Sequence, residues 1–298
     1  MYEGFSEYLK KQEIEFEEYK SIGTISPMKI DSAVRFFVSP ENEEKLIALI
    51  EYLKKREIPF KVVGRMSNIL FKTALYDGVI IQTTKINTKY IAENKITISC
   101  GAVLPPVIRQ IAEYGLGGFE GLAGIPGTVG GMLRQNAGAF GYEISECFSE
   151  ALIYDTETSE RKSIGKADMD FSYRKSILEN SALILLSATF TPVHKTKDEI
   201  CETIRAFAKK RGDTQPISDP SLGSVFKRCD GISAGYYIDR AGLKGMTVGG
   251  AQISHKHAGF IVNRGDATAD DVLRLIENIK RGVYEKFGIE LCEEIEIV

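Results

Sequence analysis

Apolar positions recur along this chain in two periods, and the switches between them outline its elements. Phe5, Tyr8 and Leu9 share one side of a short helix, while the rest of the first thirty residues carries no period. Leu46, Ile47, Ile50 and Leu53 repeat at helical spacing to about Arg56, with Ser39-Pro40 reading as an N-cap followed by proline at the first helical position. Residues 60–63 are a short apolar run that predicts a strand, and 79–82 predict another. From about 84 to 193 the pattern is mainly strand (96–100, 151–154 and 182–193), with one helix over 105–114. A helix over 198–211 puts Ile200, Ile204, Phe207 and Ala208 on one stripe. In the last helix Val272, Ile276, Ile279, Val283 and Phe287 share a face, Thr268 and Asp271 make a capping box, and Gly288 closes it. The final ten residues read as a strand; by period alone Glu293 falls on the apolar face and Glu294 shares the polar face with Glu290 and Glu296. A functional part for Glu294 needs that polar face turned toward a cleft.

Composition narrows the class. The 298 residues are 43% hydrophobic and 27% charged, with a net charge of −3, so no basic surface for nucleic acid is expected. The charge run over residues 41–56 mixes both signs and reads as a solvated helix face. No apolar run approaches the roughly 20 residues of a membrane helix and no signal pattern opens the chain, so a cytoplasmic location without membrane contact is expected. Cys100, Cys147, Cys201, Cys229 and Cys292 are scattered, and His194, His255 and His257 offer no metal spacing beside them. Buried free thiols, with neither a disulfide framework nor a metal, are the expectation.

Candidate chemistry concentrates in small-residue segments. Residues 121–141 hold seven glycines and one proline, interleaved with Leu122, Ile125, Val129, Met132 and Ala137, which predicts a buried loop rather than a solvated linker. Packed glycines let a backbone approach a ligand and present its N–H groups, and a flat cofactor with a phosphate tail suits such a loop. A second small-residue loop, Gly64-Arg65-Met66-Ser67-Asn68, follows a predicted strand. Neither a G-x-x-x-x-G-K-[ST] nor a G-x-G-x-x-G pattern is present, so two loops cradling a flavin fit better than a nucleoside triphosphate or a Rossmann dinucleotide. Arg174, after Phe171 and Tyr173, and Ser224, after Gly223, are further candidates. By residue type alone they read as a surface cation and a turn hydroxyl or backbone cap. The absence of G-x-S-x-G disfavours a serine hydrolase.

Together these segments resemble the UDP-N-acetylenolpyruvoylglucosamine reductase family, flavoenzymes also called UDP-N-acetylmuramate dehydrogenases. The resemblance spans about residues 60–298. It is carried by residues 122–141, by Tyr173-Arg174-Lys175-Ser176, by Arg211 with Gln215-Pro216, by residues 223–227, 241–245 and 249–263, and by Phe287-Gly288-Ile289-Glu290-Leu291. It implies an α+β protein with a two-part FAD-binding region of the vanillyl-alcohol-oxidase-like (PCMH) type and a C-terminal substrate domain, divided here as 1–83, 84–195 and 196–298. The chain's length implies the shorter class, without an inserted substrate loop.

The implied chemistry is ping-pong. NADPH reduces the FAD and leaves, and the enolpyruvyl nucleotide sugar then takes hydride at its vinyl carbon and a proton at the adjacent carbon, a step in peptidoglycan precursor synthesis. By motif position Ser224 is the proton donor, while Arg174 and Glu294 polarise the substrate carboxylate and stabilise the enolic intermediate. Gly64, Arg65, Met66, Ser67, Asn68, Gly124, Ile125, Pro126, Gly127, Thr128, Gly130, Gly131, Asn136 and Gly138 are expected to hold the cofactor. Tyr173, Lys227, Arg228 and His257 are expected to hold the substrate, and a monomer is expected.

The chain departs from the family near the cofactor. Arg65-Met66 replaces small residues before Ser67-Asn68, residues 25–32 lack two family glycines, and Arg228 stands where asparagine is common. Bulky groups at 65 and 66 would crowd a diphosphate, or Arg65 would pair with it. These departures motivate an alternative, a flavin-free paralogue that binds a nucleotide sugar; a flavin oxidase acting on another substrate is a third reading.

Overall fold

The computed structural model describes residues 1–92 and 94–298. The chain groups into two compact units, one made of Met1–Tyr19, Arg35–Arg65 and Asp77–Lys209, the other of Lys20–Val34, Met66–Tyr76 and Lys210–Val298. Segments 20–34 and 66–76 therefore belong with the C-terminal residues. Met28, Ile30 and Leu70 explain why, since they are buried in one hydrophobic cluster with Ile238, Ile276 and Ile295.

In the first unit, helix Phe5–Lys11 buries Phe5 and Leu9, with the Phe5 ring edge-on to Phe36 at 4.9 Å. Glu15–Ser21, a strand that sequence pattern missed, is largely polar and exposed, so it shows no alternation to read. The next helix starts later than expected. Ser39 ends strand Ala33–Ser39, and Asn42 caps helix Glu43–Lys55 by accepting the Lys45 N–H at 2.8 Å. Strand Phe60–Val63 runs parallel to Leu75–Gln82, with Phe60 opposite Val79. They belong to a four-stranded sheet ordered Glu15–Ser21, Ala33–Ser39, Leu75–Gln82, Phe60–Val63. A five-stranded antiparallel sheet is ordered Glu160–Gly165, Phe148–Asp155, Leu183–Phe190, Lys95–Ser99, Lys89–Ala92. Helix Leu104–Ala112 precedes the glycine-rich segment. Helix Lys197–Thr214 buries Ile200, with Ile204 packed against the core and Phe207 against Phe140, while Ala208, the fourth position of the expected stripe, is exposed.

In the second unit, strands Ser221–Ser224, Phe260–Asn263, Ala251–Ile253 and Thr247–Val248 form an antiparallel sheet in that order. Helix Ala269–Phe287 buries Val272, Leu275, Ile276, Ile279 and Val283. Its start carries both halves of the capping box: Asp271 N–H donates to Thr268 Oγ1 at 3.1 Å, and Thr268 N–H donates to Asp271 Oδ2 at 2.9 Å. Gly288 ends it at φ 68°. Of the last ten residues only Glu296–Ile297 is a strand, parallel to Ile69–Leu70. The expected ten-residue strand fails because its stretch changes partner, pairing Glu293 with Phe226 before reaching Ile69. Cys100 and Cys147 are buried, but Cys201 and Cys229 are half-buried and Cys292 is exposed, which corrects the expectation of five buried thiols. Among the described residues no helix is long and apolar enough to cross a membrane.

Candidate active site

The glycine-rich segment of the first unit is only partly buried, contrary to expectation: Gly121, Leu122, Gly127, Thr128 and Val129 lie inside, whereas Gly124, Pro126, Gly131 and Gly141 are exposed. Its inner side is made by close backbone approach. Val129 N–H donates to Ala102 O at 2.9 Å and Gly130 N–H to Cys100 O at 2.8 Å. A Cβ on Gly64 would lie 2.2 Å from Thr128 Oγ1, and one on Gly101 would lie 1.7 Å from the Thr83 carbonyl oxygen. Side chains are excluded at these positions by contact with fixed atoms. Thr128 caps the short helix Val129–Arg134 through Gly131 N–H at 3.4 Å.

On the outer side the backbone is bare. A Cβ on Gly131 would meet nothing closer than Thr128 Oγ1 at 3.6 Å, and one on Gly141 nothing within 4 Å. A rim without side chains, with half-buried Ile125 beside it, fits a flavin, whose diphosphate needs backbone access and whose ring needs apolar contact. The two bulky departures differ in exposure. Met66 is buried, at φ 53°, and Arg65 is exposed. Met66 thus takes the left-handed backbone that a glycine would take without strain, and tucks its side chain inside.

Asn136, expected at the cofactor, has its side chain turned inside the protein. It is 1% exposed. Its Nδ2 donates to Glu143 Oε2 at 2.9 Å and to Ser172 O at 3.1 Å, and its Oδ1 accepts Ser145 N–H at 3.3 Å. Both amide donors and the acceptor are committed inside the protein, so it shapes the segment. Through Ser172 it also anchors the turn that carries Arg174. Ser172 and Lys175 exchange N–H···O bonds at 3.2 Å, which throws Arg174 into the left-handed region at φ 54°. Arg174 donates to Gly138 O at 3.2 Å and stacks on the Tyr173 ring at 5.1 Å. Ser176 Oγ donates to Arg134 O at 3.0 Å, and Arg134 donates to Leu178 O at 2.8 Å. Arg174 is therefore fixed to the glycine-rich segment itself. Phe140, at the segment's outer turn, stacks on Phe207 with centroids 4.7 Å apart.

Ser224, Lys227, His257 and Glu294 belong to the second unit. The pairing of Ser221–Ser224 with Phe260–Asn263 slips between Ser221 and Ser224. Gly223, at φ 82°, absorbs the slip. Such an irregularity re-aims a side chain, here Ser224, whose hydroxyl donates to Phe226 O at 3.3 Å. Gly259 lies close by, for a Cβ there would meet the His257 ring at 3.0 Å and Ser224 Oγ at 3.5 Å. His257 Nδ1 accepts Gly259 N–H at 3.1 Å. Burial pushes the pKa of this imidazole below its ordinary value, and Lys244 adds to that against a raising backbone hydrogen bond. A neutral ring with Nδ1 accepting keeps its proton on Nε2, which makes His257 a donor.

A short ladder holds the two glutamates. Lys227 N–H donates to Cys292 O at 2.9 Å, and Glu294 N–H donates to Val225 O at 2.7 Å. Glu293 takes a salt bridge from Lys280 at 2.9 Å. Asn68, expected at the cofactor, donates from Nδ2 to Glu294 O at 2.7 Å. Arg228 and Tyr173 are exposed and Lys227 is half-buried. The sequence offered no sign of the contact between Asn68 and Glu294, because it depends on segments brought together by pairing.

Two family models match the chain: an FAD binding domain over residues 34–156 and the C-terminal domain of UDP-N-acetylenolpyruvoylglucosamine reductase over residues 215–298. Curated relatives named UDP-N-acetylenolpyruvoylglucosamine reductase include that of Caldicellulosiruptor saccharolyticus, 43% identical over 99% of this chain and 95% of the relative. That of Caldicellulosiruptor bescii is 44% identical over 99% and 94%. Among solved structures, the UDP-N-acetylenolpyruvylglucosamine reductase (MurB) of Thermus caldophilus superimposes with a TM-score of 0.80 at 29% identity, covering 95% of this chain and 98% of that one.

Proposed function

The chain belongs to the UDP-N-acetylenolpyruvoylglucosamine reductase family, and from that membership we propose how its residues divide the work of the reaction. It is an FAD-dependent oxidoreductase that reduces UDP-N-acetylenolpyruvoylglucosamine to UDP-N-acetylmuramate with NADPH, a step in building peptidoglycan precursors. We place that step in the cytoplasm, where NADPH and nucleotide sugars are made.

The exposed glycines of residues 124–141 and residues 64–67 hold the cofactor, supported by the bare rim. When bound, FAD carries the reducing equivalents from NADPH to the substrate. Arg174, pinned through Gly138, supplies a fixed cation for the substrate carboxylate, and its rigid turn means little reorganisation is needed when charge develops there. Ser224 donates the proton to the carbon beside the carboxylate. A hydroxyl is a weak acid, so this works only because the carbon becomes strongly basic once reduced. The backbone slip at Gly223 that turns Ser224 out of register is the observation that carries the assignment. Glu294 stabilises the enolic form, the assignment its motif position gives, while Glu293 takes a salt bridge from Lys280. Tyr173, Lys227, Arg228 and the neutral His257 are the proposed substrate ligands.

The test is Ser224→Ala. Bleaching of bound flavin by NADPH should stay near the wild-type rate, whereas recolouring by the enolpyruvyl sugar should slow about 10²-fold or more. Equal slowing of both half-reactions would remove Ser224 from the proton transfer.

A further inference from the structure

The carbonyl of Glu294 lies where the chain exchanges one partner for another. Before it, the backbone pairs with Val225, Phe226 and Lys227; after it, Glu296 and Ile297 pair with Ile69 and Leu70. A main-chain carbonyl at such a changeover has no regular ladder donor, and a half-buried one needs a donor from elsewhere. Asn68 supplies it, 226 positions away in sequence: Nδ2 to Glu294 O is 2.7 Å. The Asn68 carbonyl in turn accepts the Glu296 N–H at 2.8 Å. Asn68 thus grips the chain on both sides of residue 295, while Val225 holds Glu294 from the other direction through its N–H at 2.7 Å.

We infer that Asn68 is a positioning residue, whose side-chain amide fixes the Glu294 peptide and so aims the Glu294 carboxylate at the substrate. This rests on the assignment of Glu294 to the second half-reaction. An amide that turns with its partner missing rotates the Cα–Cβ direction of Glu294, and a displacement of about 1 Å at a reacting group can cost about 10²-fold in rate. The Asn68 side chain acts on the protein's own backbone, which separates this role from that of a cofactor ligand.

Asn68→Ala, Glu294→Gln and the double variant separate the possibilities, with Asn68→Asp, of the same shape but lacking the amide donor, in reserve should the alanine variant not fold. In the flavin-free protein, hydrogen–deuterium exchange over residues 291–298 should speed up in Asn68→Ala. In the FAD-loaded enzyme, flavin content and NADPH bleaching should stay within about two-fold of wild type, recolouring should slow about 10-fold or more, and the double variant should be no slower than Glu294→Gln alone. Loss of flavin, slowed bleaching, unchanged exchange, or additive losses in the double variant would each overturn the proposal. Should Glu294→Gln leave recolouring unchanged, the role of Glu294 falls and this inference with it. Slow Glu294→Gln beside a normal Asn68→Ala would sink the inference alone.

Discussion

The glycine-rich segment of the first unit and the Glu294 ladder of the second reach precision by opposite means. In the first, side chains are removed so that the chain can approach closely: Gly101 against the Thr83 backbone, Gly130 against the Cys100 backbone, Gly64 against the Thr128 side chain. In the second, pieces of chain far apart in sequence are joined by single hydrogen bonds, Glu294 to Val225 and to Asn68, Lys227 to Cys292. A region of close approach resists any added atom, whereas a region of stitched bonds tolerates added bulk nearby and fails when a donor is lost.

That contrast is open to direct attack. Gly101→Ala should give the largest effect, because its Cβ would overlap a backbone oxygen that cannot rotate away. A loss of about 3 kcal/mol or more in urea unfolding is expected, and a loss below about 0.5 kcal/mol would mean the first region has slack. Glu293→Gln should do far less. Its salt bridge with Lys280 is half-exposed, so about 1 kcal/mol or less of stability should go, with kcat nearly unchanged. A kcat loss in Glu293→Gln larger than that in Glu294→Gln would exchange the two glutamates' roles. The smallest effect concerns pH. Burial lowers the folded pKa of His257 while the unfolded chain keeps the ordinary value of about 6.5, so the unfolded state binds the proton first. Stability should therefore hold above pH 6.5 and decline as pH falls from there toward the folded value, and His257→Gln should flatten that decline in unfolding midpoints followed from pH 7 to 5.

The same contrast explains what could be read from sequence. Gly121 and Gly138 announce themselves, because a Cβ there would meet backbone oxygens at 2.5 and 2.7 Å. Thr268, Asp271 and Gly288 mark the last helix because capping is settled within four residues. Ser39-Pro40 misled because two potential caps lie within three residues of each other, and the choice of Asn42 depends on where strand Ala33–Ser39 ends. The final residues misled more deeply: their alternation suggested one strand, yet the chain changes partner at Glu294, and no local pattern records a partner at Asn68 or Ile69. The side-chain partners of Asn136 were likewise not legible, since they come from residues 143, 145 and 172.

The threading of the second core also bears on how the protein is made. Met28, Ile30 and Leu70 leave the ribosome early, yet the apolar side chains they pack against, Ile238, Ile276 and Ile295 among them, come from residues 210–298. At about 5–20 residues per second, those three wait on the order of ten seconds as exposed grease beside a first unit that is still gathering its own sheets. Nascent chains stalled before residue 210 should therefore recruit holding chaperones through residues 20–34 and 66–76, and a full-length chain should release them.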